Sequence, residues 1–134
     1  MRVFLDTNVL VSGFATRGLS ADVVRLVMAK HTLITGEVII EETRRVLQAK
    51  LGVPAGTVDD IERLLRRYHV EPAPDQPANI DIRDPDDAWV LASALQAEAD
   101  VLVTGDADLL SIRDAVGALV IQTPRQFWEA ARGR

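Results

Sequence analysis

Met1-Arg2-Val3-Phe4-Leu5-Asp6-Thr7-Asn8 decides how this chain is read. Val3, Phe4 and Leu5 make an apolar run of strand length, and the run stops at a charge. Asp6, Thr7 and Asn8 then place three polar groups where such a strand would end. In an open α/β sheet, ligands sit outside the carboxyl ends of the strands. A site is therefore expected here, and the question is whether the chain sends other acids to meet Asp6.

It repeats the pattern once. Val101-Leu102-Val103 is a second apolar strand, and Thr104-Gly105-Asp106 follows it, with Asp108 two residues on. Leu33-Ile34-Thr35 and Leu119-Val120-Ile121 read as two more strands, the first broken by Gly36. Helices are expected between them. One starts near Thr7 and ends at Gly18, and another has Ser20 as N-cap and runs to about Lys30. A third spans about Glu37–Lys50, before Gly52 and Pro54. Thr57 and Asp60 suggest a capping box for a fourth. Its apolar face is Val58, Ile61, Leu64, Leu65 and Tyr68, and Asp59–Arg63 and Glu62–Arg66 are spaced for i,i+4 pairs. The proline-bearing stretch 72–79 is a surface connection. Asp84-Pro85 is a strong helix start, N-cap then N1, for a helix reaching about Ala97. Thr123 caps the last helix, with Pro124 at N1. Alternating strands and helices predict a three-layer α/β/α domain over residues 1–134, with a mostly parallel sheet of four to five short strands.

Two helices carry an acid on or beside an apolar stripe. At about 100° per residue, Val38, Ile39, Val46 and Ala49 fall within roughly 60° of Glu42. A Glu on the core side needs a partner, because burying a lone carboxylate is costly. Asp87 lies in the first turn of its helix and shares a face with Val90, Leu91, Ala94 and Leu95. If the strands ending at Asp6 and Asp106 are neighbours, four acids converge. Four carboxylates in one pocket repel unless a cation is present. All-oxygen donors suit Mg²⁺ or Mn²⁺, and such an ion polarises a phosphate and activates water. The implied reaction is phosphodiester hydrolysis.

Composition narrows the classes. Apolar residues make up 48% of the chain and cysteine is absent, so disorder, disulfides and thiolate chemistry are excluded, and zinc lacks its usual sulfur ligands. The N-terminal apolar run is too short for a membrane span or signal peptide, and a cytoplasmic protein is expected. The net charge of −5 argues against nucleic acid at first sight. With four acids committed to a cation, however, the remaining chain carries only about −1.

Four stretches together resemble the PIN-domain nucleases, and within them the bacterial VapC-like toxins. They are Phe4-Leu-Asp-Thr-Asn-Val-Leu, Glu42-Thr-Arg-Arg-Val-Leu, Asp84-Pro-Asp-Asp-Ala-Trp-Val-Leu-Ala-Ser-Ala and Val103-Thr-Gly-Asp-Ala-Asp-Leu-Leu. The resemblance implies a ribonuclease in which Asp6, Glu42, Asp87 and Asp106 are the metal-binding catalytic acids. Asn8 and Thr104 would be helpers and Asp108 an outer ligand. It also implies an RNA substrate, an antitoxin partner and a homodimer. Many relatives carry Ser or Thr where this chain has Gly36, with Thr35 one residue off.

Other readings compete. Asp6 and Asn8 could be turn or cap residues, Glu42 the partner of a buried Arg, Asp87 a helix-dipole acid, Asp108 a cap and Thr104 a satisfied hydroxyl. Arg44, Arg45 and Lys50 are candidates for an RNA-binding rim, extended by Arg63, Arg66 and Arg67 unless these form a salt-bridged face. His31 and His69 have no evident acid–base partners and read as structural or solvent-facing. Trp89 lies about 160° from Leu91 on its helix and should face outward, as interface residues do. A housekeeping RNA-processing nuclease and a metal-binding module without turnover remain as alternative functions. An Asp-nucleophile phosphatase is disfavoured, because Asn8 stands where its second Asp belongs and no Lys follows Lys50.

Overall fold

The computed structural model describes residues 1–132. Its strands are β1 (Arg2–Leu5), β2 (Thr32–Gly36), β3 (His69–Glu71), β4 (Val101–Val103) and β5 (Val120–Gln122). Its α-helices are α1 (Thr7–Ala15), α2 (Leu19–Lys30), α3 (Glu37–Arg45), α4 (Ala55–Leu65), α5 (Pro85–Gln96), α6 (Ala107–Ser111) and α7 (Pro124–Arg132). All pairings in the sheet are parallel, in the order β3-β2-β1-β4-β5.

This order places β1 in the centre, with Phe4 level with Ile34 on one side and Leu102 on the other. Helices cover both faces. Val3, Phe4, Leu5, Ile34, Leu102 and Val103 are therefore fully buried, which is why these strands read as unbroken apolar runs. From β1 the chain winds outward through β2 and β3, then returns to start β4 on β1's other flank. The strand order reverses between β1 and β4, and a crevice opens there at their carboxyl ends. The backbone continues the pairing past both strands: Asp6 N donates to Val103 O at 3.0 Å, and Thr104 N to Gln122 O at 2.9 Å.

Several boundaries differ from the sequence reading. Helix α1 ends at Ala15, and Thr16 turns its hydroxyl back onto Ser12 O at 2.6 Å. Helix α2 starts one residue before Ser20, from Gly18 at φ +130°, a backbone region suited to glycine. The stretch 37–50 is one helix only to Arg45; residues Val46–Lys50 form a wider π-helical turn. Helix α4 begins directly after Pro54, which leaves Thr57 inside it with no capping role. Strand β3 has only one apolar residue, Val70, and carries no readable strand pattern. By contrast, Asp84 caps α5 as read, accepting from Asp86 N at 3.0 Å. Thr123 caps α7 through its hydroxyl, with Gln126 reaching back to Thr123 N.

Candidate active site

Asp6 sits one residue past β1, buried, and is held from three directions. Its Oδ1 accepts from Thr7 N at 2.8 Å; its Oδ2 accepts from Thr104 Oγ1 at 2.7 Å and from Asn8 Nδ2 at 3.1 Å. Asp6, not Asn8, is the N-cap of α1. Asn8 instead ties the two strand ends together, accepting from Gly105 N at 3.0 Å through its Oδ1. Thr104 accepts from Asp106 N at 2.9 Å, so its own proton is committed to Asp6. Asp106 caps α6, accepting from Asp108 N at 2.8 Å.

Asp6, Thr7, Asn8, Glu42, Asp87 and Asp106 line a single cavity of about 430 Å³, with Lys50 and Leu51 at its edge. Glu42 reaches this cavity from the flank of α3. The face of α3 that enters the core is Ile39, Ile40, Thr43 and, beyond it, Leu47. Val38 and Val46, assigned to the core stripe with Glu42, are half-buried, and Ala49 is exposed. Glu42 thus lies on the wet border of the helix, facing the acids. No buried arginine meets it among the described residues.

Asp87 is 6% exposed, and its Oδ2 has no hydrogen-bond partner. Burial, and then repulsion from Asp106, Asp84 and Asp6, pushes its carboxyl up to about 8. Burial also pushes Asp6 up to about 6, against the hydrogen bonds from Thr104 and Thr7, with Glu42 and Asp106 adding repulsion. Both shifts express one fact: the cavity holds more negative charge than its donors can offset. The donor set is entirely oxygen, which fits a hard divalent cation and not a soft one.

Asp108 is not on this cavity. It receives the Arg83 guanidinium, Nη2 to Oδ2 at 2.7 Å and Nε to Oδ1 at 2.9 Å, which holds its carboxyl below the usual range. Asp84, read only as a cap, also joins Asp87 and Asp108, with one oxygen of each within 4.8 Å of the others. Sequence signals for that grouping are weak, because an N-cap explanation for Asp84 is sufficient by itself.

The basic candidates separate. Lys50 reaches the acid cavity. Arg45 lines a neighbouring groove of about 310 Å³ with Val38, Glu41, Glu42, Asp86 and Trp89. Trp89 is half-buried in that groove, not fully outward. Arg44 is engaged elsewhere, with Nη1 2.9 Å from Asp59 and 3.0 Å from Glu62 on α4. Arg66 joins the same lattice, bonding Glu62 and Glu37, while Arg63 pairs with Asp60 and not with Asp59. His69 does have a partner, Glu71, at 2.7 Å.

A family model described as the PIN domain matches residues 2–108. No curated protein matches the chain. Among solved structures, the fold is similar to that of VapBC2 from Rickettsia felis, in a complex bound to a DNA fragment from its promoter. The TM-score is 0.62 at 12% identity, covering 92% of this chain and 98% of that one. VapC20 from Mycobacterium tuberculosis, a Sarcin-Ricin loop cleaving toxin, gives a TM-score of 0.59 at 18% identity, covering 81% and 93%. FitAcB from Neisseria gonorrhoeae gives 0.57 at 18% identity, covering 92% and 98%. At these identities the likeness is one of fold.

Proposed function

The chain belongs to the PIN domain family, and we propose that it is a metal-dependent endoribonuclease acting as the toxin of a toxin–antitoxin pair. One observation carries the reading: Asp6, Glu42, Asp87 and Asp106 meet in one cavity, where the Asp87 Oδ2 is buried and unpartnered. Such an oxygen lacks compensation unless a cation supplies it. Asp6, Glu42, Asp87 and Asp106 would hold the ion. Mg²⁺ or Mn²⁺ supplies Lewis-acid chemistry there, offsetting phosphate charge and making water acidic enough to act near neutral pH.

The chain's own groups do the positioning. Thr104 and Asn8 hold Asp6 Oδ2, and Thr7 N holds Oδ1, so that carboxylate has one orientation. Asn8 and Gly105 lock the ends of β1 and β4 at a fixed separation. Lys50 at the cavity edge and exposed Arg45 in the adjoining groove meet RNA phosphates, which a guanidinium or ammonium binds well. Arg44 is already taken up by α4.

The toxin reading draws support from VapC20, itself a cleaving toxin, and from the two-component names VapBC2 and FitAcB. An antitoxin partner, a homodimer and a cytoplasmic location go with it. Among the described residues, no helix is long and apolar enough to cross a membrane.

The test is cleavage of a mixed RNA pool with Mg²⁺, with Mn²⁺ and with EDTA, by the native chain and by Asp6→Asn. Metal-dependent cleavage lost in the variant is expected. Metal binding without cleavage of any RNA would turn the reading to a binding module. Growth arrest on expression of the chain alone separates a toxin from a housekeeping nuclease.

A further inference from the structure

The groove beside the acid cavity has a chemistry of its own. It runs between α3 and α5, which pack on one another, and holds about 310 Å³. Val38, Glu41, Glu42 and Arg45 line it from α3, and Asp86 and Trp89 from α5. Arg45 lies four residues after Glu41, and Trp89 three after Asp86, so each helix turns both of its groups to one side. Glu42 borders the acid cavity as well, which makes the two spaces continuous.

Trp89 is one of two tryptophans in the chain and is half-buried, so its ring is anchored and still offers surface to the groove. Glu41, Arg45 and Asp86 are exposed. Arg44, the residue before Arg45, is taken up by Asp59 and Glu62. Among the described residues, Glu41, Arg45 and Asp86 enter no ion pair, and their side chains make no hydrogen bond. Glu41 and Arg45 do not join even though their i,i+4 spacing would allow it. A plain phosphate chain would suit Arg45 and be repelled by the two carboxylates. A basic peptide would suit the carboxylates and be repelled by Arg45. A nucleotide whose base presents hydrogen-bond donors suits all of them and adds a flat ring for Trp89. Guanine alone among the four RNA bases carries two adjacent donors, N1–H and N2–H₂, on its Watson–Crick edge. A carboxylate accepts both, one with each oxygen. That edge is open only when the base is unpaired.

We propose that the groove between α3 and α5 is a subsite for one unpaired guanine of the RNA, with the base stacked on Trp89, its donor edge on Glu41 or Asp86, and its phosphate on Arg45. The inference rests on the ribonuclease reading above and deepens it, because it names the nucleotide that is read beside the cut. Trp89, Glu41 and Asp86 are then specificity residues, and the acids of the neighbouring cavity are left to the reaction.

The experiment is a calorimetric titration of guanosine, inosine and adenosine 5′-monophosphates and of ribose 5-phosphate into the full chain. EDTA is present, so that no ion in the acid cavity attracts the phosphate. The native chain should bind guanosine monophosphate tightest and ribose 5-phosphate weakest. Inosine monophosphate keeps N1–H but lacks the 2-amino group and should fall between guanosine and adenosine. Trp89→Ala should weaken the guanosine nucleotide about tenfold, and Trp89→Phe should keep most of its affinity. Glu41→Gln with Asp86→Asn, both at exposed positions, should bring the guanosine nucleotide down to the adenosine one; this variant decides the matter if Trp89→Ala does not fold. In a Trp128→Phe chain, guanosine monophosphate should quench the Trp89 fluorescence and ribose 5-phosphate should not. Equal affinity for guanosine and adenosine nucleotides, or a guanosine preference that survives the double acid variant, overturns the proposal. A mononucleotide has no phosphodiester bond to cut, so this outcome is independent of whether the chain cleaves RNA.

Discussion

Thr104 and Asp6 lie 98 positions apart in the chain, yet the hydroxyl of one donates to Oδ2 of the other at 2.7 Å, with both side chains buried. The bond favours the charged carboxylate. Thr104→Val should raise the Asp6 pKa further and weaken Mn²⁺ binding, with a loss of stability of about 1–2 kcal/mol. Thr104→Ser should restore both. Calorimetric Mn²⁺ titration and urea unfolding check this, and equal Mn²⁺ affinity in Thr104→Val would remove Thr104 as an orienting group.

Stability of the metal-free chain should fall as pH rises. Asp6 and Asp87 titrate near 6 and 8 in the folded state, against about 3.9 unfolded. The folded state therefore binds more protons between these values, and unfolding becomes easier with increasing pH. The stabilisation is complete below about pH 4 and is lost as pH passes through 6 and then 8. For Asp6 the swing is roughly 3 kcal/mol. Saturating Mg²⁺ should reverse the slope. Thermal melts from pH 4 to 9, with and without Mg²⁺, measure both.

Asp87→Asn isolates one member of the set. At pH 9 the metal-free variant should be more stable than the native chain by about 1–3 kcal/mol, because a buried, repelled charge is gone. At pH 5 the difference should vanish, since Asp87 is already protonated there. Cleavage should be lost at both. A variant destabilised at pH 9 would mean that the native Asp87 charge is compensated by protein.

The basic residues should divide by function. Lys50→Ala and Arg45→Ala should each weaken RNA binding and reduce the slope of log K against log salt by about 0.7. Arg44→Ala should leave that slope unchanged but lower the melting temperature, because it unlinks α3 from Asp59 and Glu62. A flat salt profile in the native chain would take Lys50 and Arg45 out of the interface.

Gly36 has a neighbour that explains its lack of a side chain. A Cβ there would come 2.6 Å from Ser93 Oγ and 3.4 Å from Glu71 O. Ser93 thus puts a hydroxyl where Ser or Thr at position 36 would place its own. Gly36→Ala should destabilise by about 1–3 kcal/mol through overpacking, and Ser93→Ala on the same chain should recover most of it. Additive losses in the double variant would show that the strain lies in the backbone contact.

What could be read from the sequence was whatever is local or periodic. Asp84-Pro85 announces α5 because a cap and an N1 proline act on their own neighbours. Asp6 and Asp106 announce a crevice because both follow apolar runs that can only be inner strands. Strand β3 has no readable strand pattern because His69 is exposed at the sheet edge and the buried Glu71 is held by His69 at 2.7 Å and by Gln96 Nε2 at 3.0 Å, pairings that its sequence neighbours do not announce. Helical periodicity puts Glu42 in one stripe with Val46 and Ala49, but the backbone widens into a π turn at Val46, so Val46 is only half-buried and Ala49 is exposed. The Arg83–Asp108 and Arg44–Asp59 pairs join separate elements and leave no periodic trace.

The central place of β1 also sets a timetable. The first strand made is the middle of the sheet, and β2 can pair with it as soon as residues 32–36 exist. Its other neighbour, β4, and with it Thr104 and Asp106, comes nearly a hundred residues later. Until then Asp6 has no Thr104 hydroxyl to orient it, and the set of four acids lacks Asp106. A growing polypeptide on the ribosome therefore carries Asp6 long before the crevice is assembled, and its last wall arrives in one late step. A non-local closure of this kind is slow compared with the local pairing that precedes it. Whatever depends on the assembled crevice waits for that closure.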